Sequence, residues 1–211
     1  MTRARTVLLG LVAVAGIAAP VAAQEPAVSL RPFVMASEQS FSAVDTFTAV
    51  FGHSYGPFFG GGADVTFGEH YYIEVAASRF KQTGQRAFRN AGQVFRLGIP
   101  LTATVTPIEL TGGYRFHLSS RIVPYVGGGF GSYAYTETSD FADASENVDT
   151  RHSGFVVNGG AEFRLHRWVG LGADVHYTRV TGILGQAGVS KDAGENDLGG
   201  VAARFKVIVG R

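Results

Sequence analysis

From Leu30 onward, apolar and polar residues alternate in runs of roughly ten to fourteen residues, which is the period of β-strands with one face in oil and the other in water. The pattern is clearest late in the chain. Phe155, Val157, Ala161, Phe163 and Leu165 alternate with Asn158, Glu162, Arg164 and His166. Val169, Leu171, Ala173, Val175 and Tyr177 alternate with Gly170, Gly172, Asp174, His176 and Thr178. Val201, Ala203, Phe205, Val207 and Val209 alternate with Gly200, Ala202, Arg204 and Lys206. Earlier, Phe59, Ala63, Val65 and Phe67 oppose Asp64 and Thr66; Tyr71, Ile73, Val75 and Ala77 oppose Glu74 and Ser78; Ile108, Leu110, Tyr114 and Phe116 oppose Glu109, Thr111 and Arg115. The segments Leu30 to Ala36 and Ile122 to Thr136 complete the set with weaker parity, the second broken by Gly127, Gly128, Gly129 and Gly131.

These segments predict an all-β fold of eight antiparallel strands, connected up and down. Short turns fall at Gly68 to His70, His117 to Ser120 and Arg167. Long connections cover Ser37 to Gly56, Gln82 to Pro100, Ser139 to Thr150 and Thr181 to Asn196. Alternation of tight turns with long loops predicts a transmembrane β-barrel with turns and both termini in the periplasm. Beyond Gln24 no stretch has the ~18 apolar residues of a membrane helix, so a bilayer is crossed only by a closed sheet without edges. Phe67, Tyr71, Phe116 and Trp168 flank short turns, whereas Phe59, Tyr133, Tyr135, Phe155 and Tyr177 lie near long loops, giving two aromatic girdles.

The start of the chain sets the compartment. Arg3 and Arg5, an apolar stretch from Val7 to Ala19 and small residues Val21, Ala22 and Ala23 read as a signal peptide over 1–23, leaving one domain over 24–211. Without the leader the 18 basic residues fall to 16 against 17 acidic ones, a balance that excludes nucleic-acid binding by charge. The absence of cysteine removes disulfides and thiol nucleophiles, and 29 glycines suit closely approaching strands.

Charges on the polar faces collect inside such a barrel: Asp64, Glu74, Glu109, Glu162 and Asp174 against Arg115, Arg164, Arg204 and Lys206. An eight-stranded interior has room only for side chains and tolerates charge only when it is paired. A lumen closed by ion pairs is therefore expected, with a gated polar conduit as the alternative.

The segments Val123-Pro-Tyr-Val-Gly-Gly-Gly-Phe-Gly-Ser-Tyr133, Gly112-Gly-Tyr-Arg-Phe116 and Gly159-Gly-Ala-Glu-Phe163 resemble the small outer-membrane barrels of OmpA and OmpX type. The likeness spans the chain after the leader and implies a Gram-negative outer-membrane location and help from the assembly machinery. Barrels of that type commonly end in an aromatic residue, whereas this chain ends Phe205-Lys-Val-Ile-Val-Gly-Arg211.

Candidate chemistry is sparse. His53, His70, His117, His152, His166 and His176 lack metal-ligand spacing, so neither metal nor cofactor is expected. Lipid A deacylases of this shape need a serine, a histidine and an acid together, but His152 and Ser153 are adjacent on one strand and point to opposite faces. The outer loops carry more. Lys81, Arg86, Arg89 and Arg96 are expected to contact phosphates of lipopolysaccharide, and Glu137, Asp140, Asp143, Glu146 and Asp149 form an acidic counterpart able to gather divalent cations but without calcium-loop spacing. In the first loop Ser42 is positioned to cap a short helix with Asp45 in its first turn, Phe47, Val50 and Phe51 on one side and Gly52 at its end. Two functions follow: a non-enzymatic barrel acting in envelope integrity or surface interaction, with its protein partner unknown, or a carrier of a small hydrophobic molecule with Phe41, Phe47 and Phe51 at the entry. A lipid A-modifying enzyme is a third.

Overall fold

A computed structural model describes residues 28–68, 70–90, 93–116, 121–139, 147–186 and 188–210. The signal-peptide segment and Asp140, Asp143, Glu146 and His117 lie outside these residues. The strands are β1 (Val28–Phe41), β2 (Tyr55–Phe67), β3 (Tyr71–Asn90), β4 (Gln93–Arg115), β5 (Ile122–Thr138), β6 (Val148–His166), β7 (Val169–Arg179) and β8 (Gly200–Val209), with helices α1 (Val44–Phe51) and α2 (Gly188–Ala193) before β2 and β8. Each strand pairs antiparallel with the next and β8 returns to β1, closing the barrel. Closure leaves no row of unpaired backbone groups for hydrocarbon to face.

Alternation sets the wall. On β8, Ala202, Arg204, Lys206 and Ile208 point into the barrel and Val201, Ala203, Phe205, Val207 and Val209 point out. Outward apolar side chains form a continuous belt, with Phe130 75% and Phe205 63% exposed; a water-soluble protein would bury such a band. From Val201 to Val209 the strand rises about 20 Å at the usual tilt, close to the ~25 Å apolar band of outer-membrane barrels. Phe67, Tyr71, Phe116 and Trp168 rim one end of the belt; Phe59, Phe155 and Tyr177 rim the other, all exposed.

Two expected girdle members do not belong to it. Tyr133 and Tyr135 are buried inside, because β5 registers Tyr133 against Pro107 and Tyr135 against inward-facing Val105 of β4. The outward residues of β5 are Ile122, Val126 and Phe130. Inward glycines had hidden this parity, and they are required: a Cβ on Gly129 would lie 2.0 Å from the Leu110 carbonyl oxygen, and one on Gly127 would lie 2.2 Å from the Tyr72 hydroxyl.

Several expected loops are strand. Gln82 to Pro100 belongs mostly to β3 and β4, which pair as far as Asn90 and Gln93 through an irregularity between Gln85 and Ala87. Beyond the apolar belt both hairpin faces carry polar residues, so alternation fades although pairing continues. β1 reaches Phe41 and β2 begins at Tyr55, shortening the first connection to the segment bearing α1; β6 already starts at Val148. The fourth connection holds α2 and a bridge between Thr181 and Asp197.

Candidate functional site: the lumen charges and the lid

Alternation delivers nine charged or polar groups from different strands into one layer. Arg31 of β1 donates from Nε and Nη2 to the two oxygens of Asp64 at 2.8 and 3.0 Å, and from Nη1 to both oxygens of Glu162 at 3.0 and 2.9 Å. Arg115 Nη2 adds a bond to Glu162 Oε2 at 2.7 Å. Beside this cluster, Arg204 Nε donates to Asp174 Oδ1 at 2.9 Å while its Nη1 lies 3.3 Å from Glu74 Oε1, an ion pair lacking hydrogen-bond alignment. Lys206 Nζ donates to Glu74 Oε2 at 2.5 Å and stands 3.5 Å from Asp174 Oδ2, its ammonium also 5.0 Å from the Phe33 ring. The Tyr125 hydroxyl completes Asp174 at 2.6 Å. Four cations thus face four carboxylates, all buried. Buried charge is tolerated when it is paired in this way; Glu74 Oε1 is held by its ion pair alone.

Toward the end of the barrel that carries α1, Glu109 accepts from the Tyr133 hydroxyl at 2.8 Å and lies 3.2 Å from His176 Nε2. Arg164, expected in the buried layer, instead sits half-exposed at the rim with Nε 3.7 Å from Glu162 Oε1, because it lies two residues from the end of β6, where the barrel wall runs out. Sequence reading missed Arg31. Leu30, Pro32 and Val34 face out and Phe33 and Met35 face in, so both faces of β1 are apolar around it; a lone arginine inside an apolar strand was the available signal.

Above Glu109 the lumen turns apolar. Phe41, Phe47, Phe58, Phe80, Val105, Val180, Ile183, Leu184 and Leu198 pack into one cluster with the rings of Tyr133 and Tyr135. Its centre is α1, whose Phe47 ring stacks on Phe41 with centroids 3.9 Å apart. The helix ends at Gly52 as its sequence indicated, in the left-handed region at φ 87°. Its start is a correction. Ala43, not Ser42, occupies the N-cap and no local side chain caps it. Glu195, from the connection before β8, caps it instead: the carboxylate accepts from the Asp45 and Thr46 amides at 2.9 and 2.8 Å and from the Thr46 hydroxyl at 2.6 Å. A cap supplied from 150 residues away has no local signature.

Hairpin arginines hold α1, the lid over the lumen, at both ends. Arg96 donates to the carbonyls of Ala49 and Thr48, both at 3.0 Å, at the end of the helix where its dipole is negative; the Thr48 carbonyl also accepts from the Gly52 amide. Arg89 pairs with Asp45 at 3.1 Å. Arg86 lines a cavity of about 750 Å³ open to the outside, together with Leu97, Leu101, Ile183, Leu184 and Glu137. Glu137 accepts from the Tyr135 hydroxyl. Lys81 faces outward and Asp149 is exposed on β6.

His152 is half-buried with Nδ1 3.3 Å from the Thr150 hydroxyl, and Ser153 points the other way. Among the described residues no three His, Cys, Asp or Glu side chains gather around a possible metal position.

The outer membrane protein β-barrel domain family matches residues 9–205. No curated protein matches the chain. Among solved structures, the N-terminal β-barrel domain of Pseudomonas aeruginosa OprF is similar at 10% identity, covering 87% of this chain and 97% of that one with a TM-score of 0.52. Ail, the attachment invasion locus protein of Yersinia pestis, is similar at 11% identity over 87% and 96% of the two chains, with a TM-score of 0.50. Both likenesses are of fold.

Proposed function

Because the chain belongs to the outer membrane β-barrel family and so resides in the outer membrane, we propose that it is a non-enzymatic barrel, closed by its own side chains, that acts in envelope integrity or surface interaction through its extracellular parts. In this reading residues 1–23 are the export leader, both termini lie in the periplasm, the assembly machinery inserts the barrel, and lipopolysaccharide surrounds its outer leaflet side. The observation that carries it is the double occupancy of the lumen: the balanced ion layer of Arg31, Asp64, Glu74, Arg115, Glu162, Asp174, Arg204 and Lys206, and above it the apolar plug centred on Phe47. An ion crossing this path would have to displace paired charges in one layer and desolvate against aromatic rings in the next.

Recording from the purified barrel in planar bilayers tests the reading. It is expected to show no resolved conductance steps; large, steady steps would defeat it. The cavity of about 750 Å³ favours the carrier reading, since Leu97, Leu101, Ile183 and Leu184 offer an apolar floor to a small molecule entering from outside. Against it, Phe41 and Phe47 stack on each other at the centre of the plug rather than framing an entry.

A further inference from the structure

We propose that the face of the β3–β4 hairpin turned away from α1 is a docking strip for a phosphorylated glycolipid of the outer leaflet, with Arg79 and Lys81 taking phosphate and Phe88 and Phe95 taking saccharide; this rests on the surface-interaction reading above and names its partner. Phe59, at the outer edge of the apolar belt, registers against Arg79, and the next outward residue of β3 is Lys81. These two cations therefore stand where lipid headgroups begin. Between Glu74 and Glu109 the sequence holds five cations and no acidic residue, so no carboxylate on the hairpin competes for them. Arg89 and Arg96 are bonded to α1 and Arg86 turns toward Glu137, which leaves Arg79 and Lys81 as the outward pair.

Above them the outward face becomes hydroxylated and then aromatic. Thr83 and Thr102 share a hydroxyl bond of 2.9 Å. Near the tip Arg89 registers with Val94 and Ala87 with Arg96, on the side of α1; the intervening pair, Phe88 and Phe95, therefore points away from it. Their rings stack at 5.1 Å and remain 42% and 41% exposed. Phe88 lies nine residues beyond Arg79, about 30 Å of strand at ~3.3 Å per step, so the strip runs from headgroup level into the layer where a glycolipid carries its sugars. Guanidinium and ammonium groups pair with phosphate oxygens by charge-assisted hydrogen bonds. Flat exposed rings suit the apolar C–H faces of sugars, whereas a phospholipid has nothing at that height to cover them.

The test uses the full folded protein in detergent, titrated with intact lipopolysaccharide, with the same material after enzymatic removal of its phosphates, and with lipid A lacking the core saccharide. Arg79→Thr with Lys81→Thr is expected to bind intact lipopolysaccharide and lipid A about tenfold more weakly and to lose the preference for phosphorylated over dephosphorylated material. Phe88→Thr with Phe95→Thr is expected to bind intact lipopolysaccharide about tenfold more weakly while binding lipid A as the parent does. Either double variant matching the parent on intact lipopolysaccharide overturns the strip. Heat-dependent gel mobility checks that each variant is folded, and since both pairs lie outside the lumen, conductance reports the fate of the closed-barrel reading separately.

Discussion

Replacing Arg31 with alanine is expected to destabilise the folded barrel by about 3–5 kcal/mol, the range seen when one partner of a buried ion pair is removed. The guanidinium holds Asp64 through two hydrogen bonds and Glu162 through two more. Glu162 keeps Arg115 after the change. Asp64 loses the partner that engaged both its oxygens, and it is the group left stranded. Combining Arg31→Ala with Asp64→Ala removes the stranded charge and should recover most of the loss, so the two effects will be strongly non-additive. Urea midpoints of barrels refolded into vesicles, scored by heat-dependent gel mobility, measure both. Equal destabilisation by the single and double variants would mean that Arg31 acts by packing rather than by neutralising Asp64.

Phe47→Ala should separate the lid from the wall. The ring is 2% exposed and packs on Phe41 and, farther off, on Phe51 and Phe80, so its truncation costs about 3–5 kcal/mol wherever the helix must stay docked. The chain has a cheaper response. α1 lies in the connection between β1 and β2, and those strands pair independently of it. The lid is therefore expected to detach locally: amide exchange across 44–51 should accelerate about a hundredfold or more, while the urea midpoint of the barrel moves little. Conductance should stay absent, because the ion layer below is untouched. A large drop in the barrel midpoint with unchanged exchange in the lid would show instead that α1 is part of the cooperative unit.

The wall was legible because lipid imposes a period on it. On β6, β7 and β8 every second residue must be apolar, and parity alone places Asp174, Arg204 and Lys206 inside. Legibility failed where that constraint lapses or is shared. Arg31 sits among apolar residues on both faces, since β1 lends Phe33 and Met35 to the lumen as well as Val34 to the lipid. Tyr133 and Tyr135 follow a glycine run whose missing side chains carry no parity, and only the register against β4 turns them inward. The hairpin above Lys81 is bounded by water on one side and by the lid on the other, so its strands continue without the alternation that marks a strand in lipid. The lid needed long-range information of another kind. Its C-terminal glycine was visible, but its N-terminal cap is Glu195 and its C-terminal carbonyls are met by Arg96, partners that only the closed barrel brings near.

The absence of cysteine makes the central claim, hydrocarbon outside the wall and no water path within it, directly measurable. Neighbouring alanines face opposite ways: Ala76 and Ala202 are buried in the lumen, while Ala77 and Ala203 point outward. In barrels folded into vesicles, the thiols of Ala76→Cys and Ala202→Cys are expected to resist a water-soluble maleimide until the protein is unfolded. Fluorophores attached to Ala77→Cys and Ala203→Cys before refolding are expected to be quenched by lipids brominated in their acyl chains. Rapid aqueous labelling at the first two positions, or unquenched probes at the second two, would contradict the account.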